Sequence, residues 1–184
     1  MIELKHYSPD TLPPPLKYQL LAAVRIEWFK AFTGPGRTWD YIAKSTQPQY
    51  FTLSAQDILI SFAEVNQRPL HHAGNAYTLY GLSAVYTFPA YRHEGYGQQV
   101  VQAASDFIRA SDADIAMLFC SLALIDFYRF CGWQTLPTAI IHYGNPDQPQ
   151  VNQDVMMMQF ISDEGRQHRS TFVGQPVYVG RYRW

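Results

Sequence analysis

The chain has 184 residues, of which 47% are hydrophobic and 16% charged, and its formal net charge is -1. That length and apolar content predict a single globular domain over residues 1–184 with its own packed core. A charge so close to zero gives no global field toward nucleic acid or an anionic membrane, so we expect neither as a partner.

Several other classes of protein are also disfavoured by the sequence. No stretch reaches the roughly 18 apolar residues of a membrane span, and the opening segment MIELKHYSPD has no apolar signal region. Cys120 and Cys131 are the only cysteines, too few for a disulfide framework, so we expect a cytoplasmic protein with reduced thiols. His71 and His72 come without a metal-binding motif, and no metal site is expected.

The first part of the chain predicts one strand and then helices. Residues 3–6 predict a short strand, and three prolines at 13–15 stiffen the approach to a helix. Apolar residues recur at helical spacing from Leu16 to Phe32, which predicts one long helix that the Gly-Pro-Gly segment at 34–36 ends. A second short helix is expected at residues 39–44.

Three strands are expected in the middle of the chain. The first two cover residues 50–54 and 58–65, the latter with the period-two alternation of a half-buried strand. Residues 66–75 contain a proline and a glycine, so we interpret them as the connection of a hairpin. Residues 76–88 are rich in Tyr, Leu and Val, which suits a long central strand.

A helix and another strand follow that central strand. The amphipathic helix runs through residues 100–108, and residues 115–120 form the continuous apolar run of a strand buried on both faces and parallel to its neighbour. This βαβ unit predicts an α/β fold with a central, mostly antiparallel mixed sheet flanked by helices. Beyond it we expect a helix at 122–130 and strands at 138–142 and 155–160, with a polar loop between the last two.

The turn between the central strand and its helix has the composition of an anion site. A helix N-terminus leaves backbone N–H groups unpaired, and Gly95 and Gly97 remove side chains that would block an anion from reaching them. Arg92 adds positive charge beside them. The pattern lacks the third glycine of a dinucleotide fingerprint and the Gly-Lys-Ser/Thr of a P-loop. It therefore predicts either a pyrophosphate cradle or simply a tight turn.

Two motifs in this order resemble those of the GCN5-related N-acetyltransferase (GNAT) superfamily. PAYRHEGYG at 89–97 is similar to its coenzyme A signature, and FYRFCGW at 127–133 is similar to its second motif, a tyrosine followed by a glycine and an aromatic residue. The resemblance implies the GNAT acyl-CoA N-acyltransferase fold, acetyl-CoA as the cofactor and direct attack of an amine on its thioester. Homodimers are common in this superfamily.

The resemblance also implies roles for individual residues. Backbone groups of Val85, Tyr86 and Thr87 would hold the pantetheine arm like an added strand, and Arg92 would assist at the pyrophosphate. Tyr128 would protonate the departing thiolate as general acid, although a core aromatic residue is the alternative. The pyrophosphate would lie on the backbone N–H groups of His93, Glu94, Gly95, Tyr96, Gly97 and Gln98.

The general base is less clear from the sequence. The position on the central strand where the resemblance implies a carboxylate carries Ser83 in this chain. Glu64 on the preceding strand is a second candidate, although we expect a glutamate there to be a solvated strand residue. The terminal carboxylate of Trp184 is a third candidate.

A narrower resemblance, to the aminoglycoside 2'-N-acetyltransferases, covers roughly residues 39–133. It rests on Val65–Arg68, the Tyr91-Arg92 pair and a C-terminus that closes on tryptophan, where Tyr182 and Trp184 could line the acceptor pocket. Arg181 and Arg183 would repel a polycation. We therefore expect an N-acetyltransferase for a primary amine of a small molecule, with an aminoglycoside enzyme or a non-catalytic acyl-CoA-binding module as alternatives.

Overall fold

The computed structural model describes residues 1–32, 47–136 and 138–181. The described residues of 1–66, together with 84–104, form one compact unit, and those of 67–83 and 105–181 form a second. They are called the first and second units below. A single domain over residues 1–184 stays a prediction.

The first unit is a layer of antiparallel strands with a helix packed on one face. β1 (Ile2–Tyr7) pairs with β2 (Gln49–Ala55), which pairs with the start of β3 (Ile58–His72). Helix α1 (Pro14–Glu27) begins on a proline, which fits because the first helical N–H needs no intrahelical partner. Its buried side chains pack against the core residues Tyr50, Leu59 and Phe62.

The prediction of one helix to Phe32 was wrong. α1 ends at Glu27 because Trp28 leaves helical geometry at φ −112°, ψ 40°, and a 3₁₀ turn follows over Phe29–Phe32. The apolar spacing was misleading here, since Ile26 and Phe29 are 74% and 59% exposed and so do not continue the buried stripe. The helix expected at residues 39–44 lies outside the described residues.

The hairpin that follows is tighter than predicted. β3 continues to His72 and β4 runs over Asn75–Thr87, so residues 66–72 belong to a strand and the expected long connection was wrong. Ala73 and Gly74 alone make the turn, with φ of 49° and 83°, the two left-handed residues that a type I′ hairpin requires. β3 and β4 each contribute residues to both units.

The second unit contains the predicted parallel strand pair. β4 and β5 (Ile115–Cys120) pair in parallel at Leu79–Gly81, and helix α2 (Tyr96–Arg109) is the crossover between them in the chain. β9 (Val155–Phe160) pairs antiparallel with β5 and with the short β6 (Gln134–Thr135), in the order β4-β5-β9-β6. The predicted mixed α/β fold is confirmed.

The chain after β5 holds the remaining elements. A 3₁₀ turn over Leu122–Leu124 precedes α3 (Ile125–Phe130), where one helix was expected. The expected polar loop was wrong as well, because Gly144 and Pro149 lie on two strands of a hairpin, and the strand expected at 138–142 begins later. The hairpin strands are β7 (Ile141–Asn145) and β8 (Gln148–Val151), and β10 (Val177–Tyr178) joins them in a small sheet of order β10-β7-β8. Two short helices, α4 (Asp163–Gln167) and α5 (Thr171–Gly174), lie between β9 and β10 in the chain.

Within the described part of the chain, no helix is long and apolar enough to cross a membrane.

β8 lies at the edge of its sheet, where Pro149 is tolerated because its missing N–H is not needed by a second neighbour. The hairpin could thus form in spite of the proline that suggested a loop.

Candidate functional site

The end of β4 is fastened to β3 by hydrogen bonds in the first unit. The Ser61 hydroxyl donates to the Tyr86 carbonyl at 3.0 Å and lies 2.8 Å from the Thr87 hydroxyl. The Phe88 N–H donates to the Ile60 carbonyl at 3.0 Å. The predicted pantetheine-binding residues 85–87 are half-buried, and these hydrogen bonds join that end of β4 to β3.

The backbone of β4 changes direction just before these residues. Ala84 has a φ of 46°, a left-handed conformation that a regular strand does not contain. The parallel ladder with β5 spans only Leu79–Gly81, whereas β4 itself continues to Thr87. An irregular residue of this kind re-aims the strand that follows it, as β-bulges do beside ligand sites.

The turn after β4 forms a cradle of backbone N–H groups. His93 and Gly95 both have positive φ, 68° and 79°, and α2 begins at Tyr96 with Gly95 as its N-cap. Left-handed residues in such a turn bring successive N–H groups together into an anion-binding concavity. A Cβ added at Gly95 would have no atom within 4 Å, so protein does not fill the space beside this turn. The positive end of the helix dipole favours an anion there.

Arg92 lies beside the cradle and is held by two contacts. Its Nε donates to the Thr87 carbonyl at 2.9 Å, and its guanidinium carbon lies 5.5 Å from the centre of the Tyr86 ring. The Glu94 carboxylate is engaged with Tyr96, whose pKa is raised by burial and then by this hydrogen bond. Glu94 can thus contribute its N–H to an anion site while its carboxylate bonds to a neighbouring phenol.

The second motif is a helix C-terminus in a Schellman arrangement. The Trp133 N–H donates to the Tyr128 carbonyl at 3.1 Å, and the Gly132 N–H donates to the Arg129 carbonyl at 3.0 Å. Gly132 has a φ of 86°, the left-handed geometry that this cap requires. The buried Trp133 indole donates to the Ser105 hydroxyl at 3.0 Å. The tyrosine, the glycine and the tryptophan of the motif therefore form one fixed turn in the second unit.

The Tyr128 hydroxyl lies in an environment that keeps it protonated. The residue is 7% exposed, and burial raises its pKa, with further contributions from the neighbouring thiols of Cys120 and Cys131. Burial also raises the pKa of Cys120 to about 11 and that of Cys131 in the same direction. Protonated, buried thiols are poor nucleophiles, so Tyr128 is the better candidate for chemistry here.

Glu64 is buried, so our expectation of a solvated residue was wrong. Only 5% of it is exposed, and Asn66, 6% exposed, donates from Nδ2 to Glu64 Oε1 at 2.8 Å. Alternation along the strand does not single out Glu64, because residues 59–66 are all buried. Ser83, the other internal candidate for the base, is half-buried on β4. Asn66 was not identified from the sequence as a candidate site residue.

The predicted acceptor residues Tyr182 and Trp184 lie outside the described residues. Among residues 1–32, 47–136 and 138–181, no group of three or more His, Cys, Asp or Glu side chains could hold a metal ion. In the first unit the candidate site residues lie at the end of β4, in the turn into α2 and in the Glu64–Asn66 pair, and in the second unit they lie at the α3 cap.

Comparison with known proteins identifies the family. Residues 17–136 match a family model described as an acetyltransferase (GNAT) domain. The fold is similar to Escherichia coli ElaA, with a TM-score of 0.62 and 18% identity over 86% of this chain and 99% of that one. It is also similar to an acyl-CoA N-acyltransferase from Pseudomonas aeruginosa, with a TM-score of 0.57 and 14% identity over 86% of this chain and 99% of that one. A GNAT family acetyltransferase from Brucella melitensis in complex with acetyl-CoA has a TM-score of 0.54 and 14% identity over 73% of this chain and 83% of that one. No curated protein sequence matches.

Proposed function

The chain belongs to the family of GNAT acetyltransferase domains, and on that premise we propose that it moves an acetyl group from acetyl-CoA directly to a primary amine of a small molecule. One observation carries the proposal: the left-handed turn at His93 and Gly95 opens α2 immediately after the fastened end of β4. Acetyl-CoA supplies an activated thioester and a pyrophosphate, and this segment has groups suited to both. Space beside Gly95 is not filled by protein, so the cradle fits such an anion.

In this proposal the first unit binds the acetyl donor. The backbone of Val85, Tyr86 and Thr87 pairs with the pantetheine arm, and one N–H among them polarises the thioester carbonyl. The N–H groups of 93–98 hold the pyrophosphate, and Arg92 neutralises part of its charge. Each group sits on a hydrogen-bonded strand, turn or helix N-terminus, so little reordering is needed on binding.

Tyr128 is proposed to act on the leaving sulfur. The amine nitrogen forms a bond to the carbonyl carbon, the carbon–sulfur bond breaks, and the electron pair leaves with the sulfur. The nitrogen then loses its extra proton and the thiolate takes up a proton, which gives the amide and free coenzyme A. A phenol with a raised pKa is fully protonated at neutral pH and so is ready to donate. Because that pKa lies above the value of about 8.5 for a thiol, the hydroxyl serves chiefly as a hydrogen-bond donor to the developing thiolate.

Glu64 is proposed as the base in preference to Ser83. An alkyl ammonium has a pKa near 10.4 and must lose a proton before its nitrogen can attack. A serine hydroxyl is far too weak a base to accept it, whereas a carboxylate accepts it directly or through water. Phe62, two residues before Glu64 on the same face of β3, lies 5.8 Å from the Tyr86 ring.

The test measures the rate at which thiol is released from acetyl-CoA in the presence of different amines. The panel contains neutral amino sugars, aminoglycosides, polyamines, amino acids and peptides. With an accepted amine, Tyr128→Phe should lower kcat by about 10²- to 10³-fold and leave acetyl-CoA affinity unchanged by calorimetry. Tyr18→Phe, a change at an exposed tyrosine on α1, is the matched control and should have the parental rate. A Tyr128→Phe protein as fast as the parent would overturn the assignment.

One observation favours a second function. Ser83 stands where the resemblance to the aminoglycoside 2'-N-acetyltransferases implies a glutamate, so the chain could bind acyl-CoA without catalysis. Tight acetyl-CoA binding with no turnover on any amine would support that binding module. Turnover only with polycations would instead support the aminoglycoside resemblance, in spite of the exposed Arg181. Homodimerisation, a cytoplasmic location and the roles of Tyr182 and Trp184 stay predictions.

A further inference from the structure

Two polar side chains are buried together on β3 within the first unit. Glu64 and Asn66 are each more than nine-tenths buried, and the Asn66 amide donates to the Glu64 carboxylate at 2.8 Å. They are two residues apart, so both point to the same face of the strand. Burying a carboxylate is costly even when it is hydrogen-bonded, and an apolar pair of similar size would usually be at least as stable. A buried carboxylate of this kind is a candidate for chemistry.

The pair lies on the sheet face that α1 covers. Tyr50 is directly opposite Glu64 in the β2–β3 ladder, and Tyr50 and Phe62 belong to the core that packs against α1. Phe62 contacts Tyr86, and Glu64 lies one strand repeat, about 6.6 Å, further along β3. Because the Phe88 N–H donates to the Ile60 carbonyl, this step along β3 leads back along β4 from Tyr86 and away from Thr87.

We infer that Asn66 is a positioning residue, which holds the Glu64 carboxylate ionised and in one orientation to receive the proton of a primary ammonium acceptor. The inference rests on the proposed function. In the step, an N–H proton of the ammonium passes to a Glu64 oxygen, the nitrogen lone pair is freed for attack, and Glu64 later releases the proton to solvent.

An asparagine suits this task because of its chemistry. Its amide carries no charge and does not titrate, so it gives the carboxylate a fixed donor without neutralising it. A donor to the charged form favours ionisation, which opposes the effect of burial.

The first experiment is the pH profile of kcat/KM for the full-length enzyme with its best amine. Asn66→Leu removes the donor, so the apparent pKa of the base should rise by at least one unit, and kcat/KM should fall about tenfold on the acid limb of the profile and return to the parental value at higher pH. Gln67→Leu, at the half-buried neighbour on the other face, is the control and should keep the parental profile. An unshifted profile in Asn66→Leu would overturn the inference.

A double-mutant cycle separates positioning from a structural effect. If Asn66 acts through Glu64, adding Asn66→Leu to Glu64→Gln should lower the rate no further than Glu64→Gln alone. Full additivity of the two losses would show that Asn66 acts elsewhere. If Asn66→Leu fails to fold, Asn66→Ser, which is smaller and keeps a hydroxyl donor, takes its place and should show a smaller shift than complete loss of the donor.

A direct titration keeps this inference distinct from the proposed function. The Glu64 carboxyl can be followed by carbon-13 NMR in protein labelled at glutamate and assigned with Glu64→Gln. Removal of the Asn66 donor should raise the Glu64 pKa by at least one unit whether or not any amine is acetylated. An unchanged value would overturn the positioning role, whereas a raised value with no turnover would leave it standing and count against the acetyl transfer alone.

Discussion

Replacing Gly132 by alanine should destabilise the protein through backbone geometry alone. Gly132 has a φ of 86°, and the nearest atoms to an added Cβ, Gln159 Nε2 and Arg109 Nη1, are 3.7 and 3.8 Å away, an ordinary contact distance. No clash therefore contributes, and the cost is that of placing an alanine in left-handed geometry, about 1–2 kcal/mol. For a chain of this size that loss corresponds to a Tm lower by about 2–8 °C.

Urea unfolding followed by circular dichroism measures the free energy of unfolding, and calorimetry measures the Tm. Gly132→Asn should lose less than Gly132→Ala, because asparagine tolerates the left-handed region better than other non-glycine residues. Gly174→Ala is the matched control, since it sits in a helix with no atom within 4 Å of an added Cβ and without positive φ. If Gly132→Ala proves as stable as Gly174→Ala, the account of the α3 cap is wrong.

Three further predictions follow from the structure. Gly165→Ala should cost about 3 kcal/mol in urea unfolding, because its Cβ would lie 2.3 Å from the Asp114 carbonyl oxygen, and a near-parental value would show that α4 shifts freely. Arg92→Met should raise the Kd of acetyl-CoA about tenfold but leave that of S-acetylpantetheine, which has no pyrophosphate, unchanged; equal weakening of both would argue against a phosphate contact. Stability should fall as pH rises above about 10, because the unfolded chain then releases the Tyr128 proton that the folded protein retains, and Tyr128→Phe should fall less steeply.

Elements with an unbroken local pattern were predicted from the sequence. β5 is a continuous apolar run and α2 a regular amphipathic helix, and both lie within a few residues of where the pattern placed them. The hairpin of β3 and β4 was predicted with too long a connection, because Pro69 and Gly74 suggested a loop. Pro69 is exposed and lies beyond the β2 ladder, which ends at Val65, so β2 does not require its missing N–H.

The candidate site was only partly predictable for a similar reason. Glycines in a sequence indicate a turn, so the cradle around Gly95 could be proposed from local sequence. Burial of Glu64 depends on what covers the other side of β3, which no local pattern specifies. The contact between Glu64 and Asn66 then depends on both side chains sharing that covered face.

The two contacts of Arg92 bear on affinity as well as on charge. By bonding to the Thr87 carbonyl and lying over Tyr86, its side chain ties the turn to the strand end across five residues of chain. The separation between the strand edge and the anion cradle is therefore set by the protein before any ligand arrives. A ligand that reaches both places meets a preorganised pair of sites, so its binding energy need not be spent on ordering the chain between them.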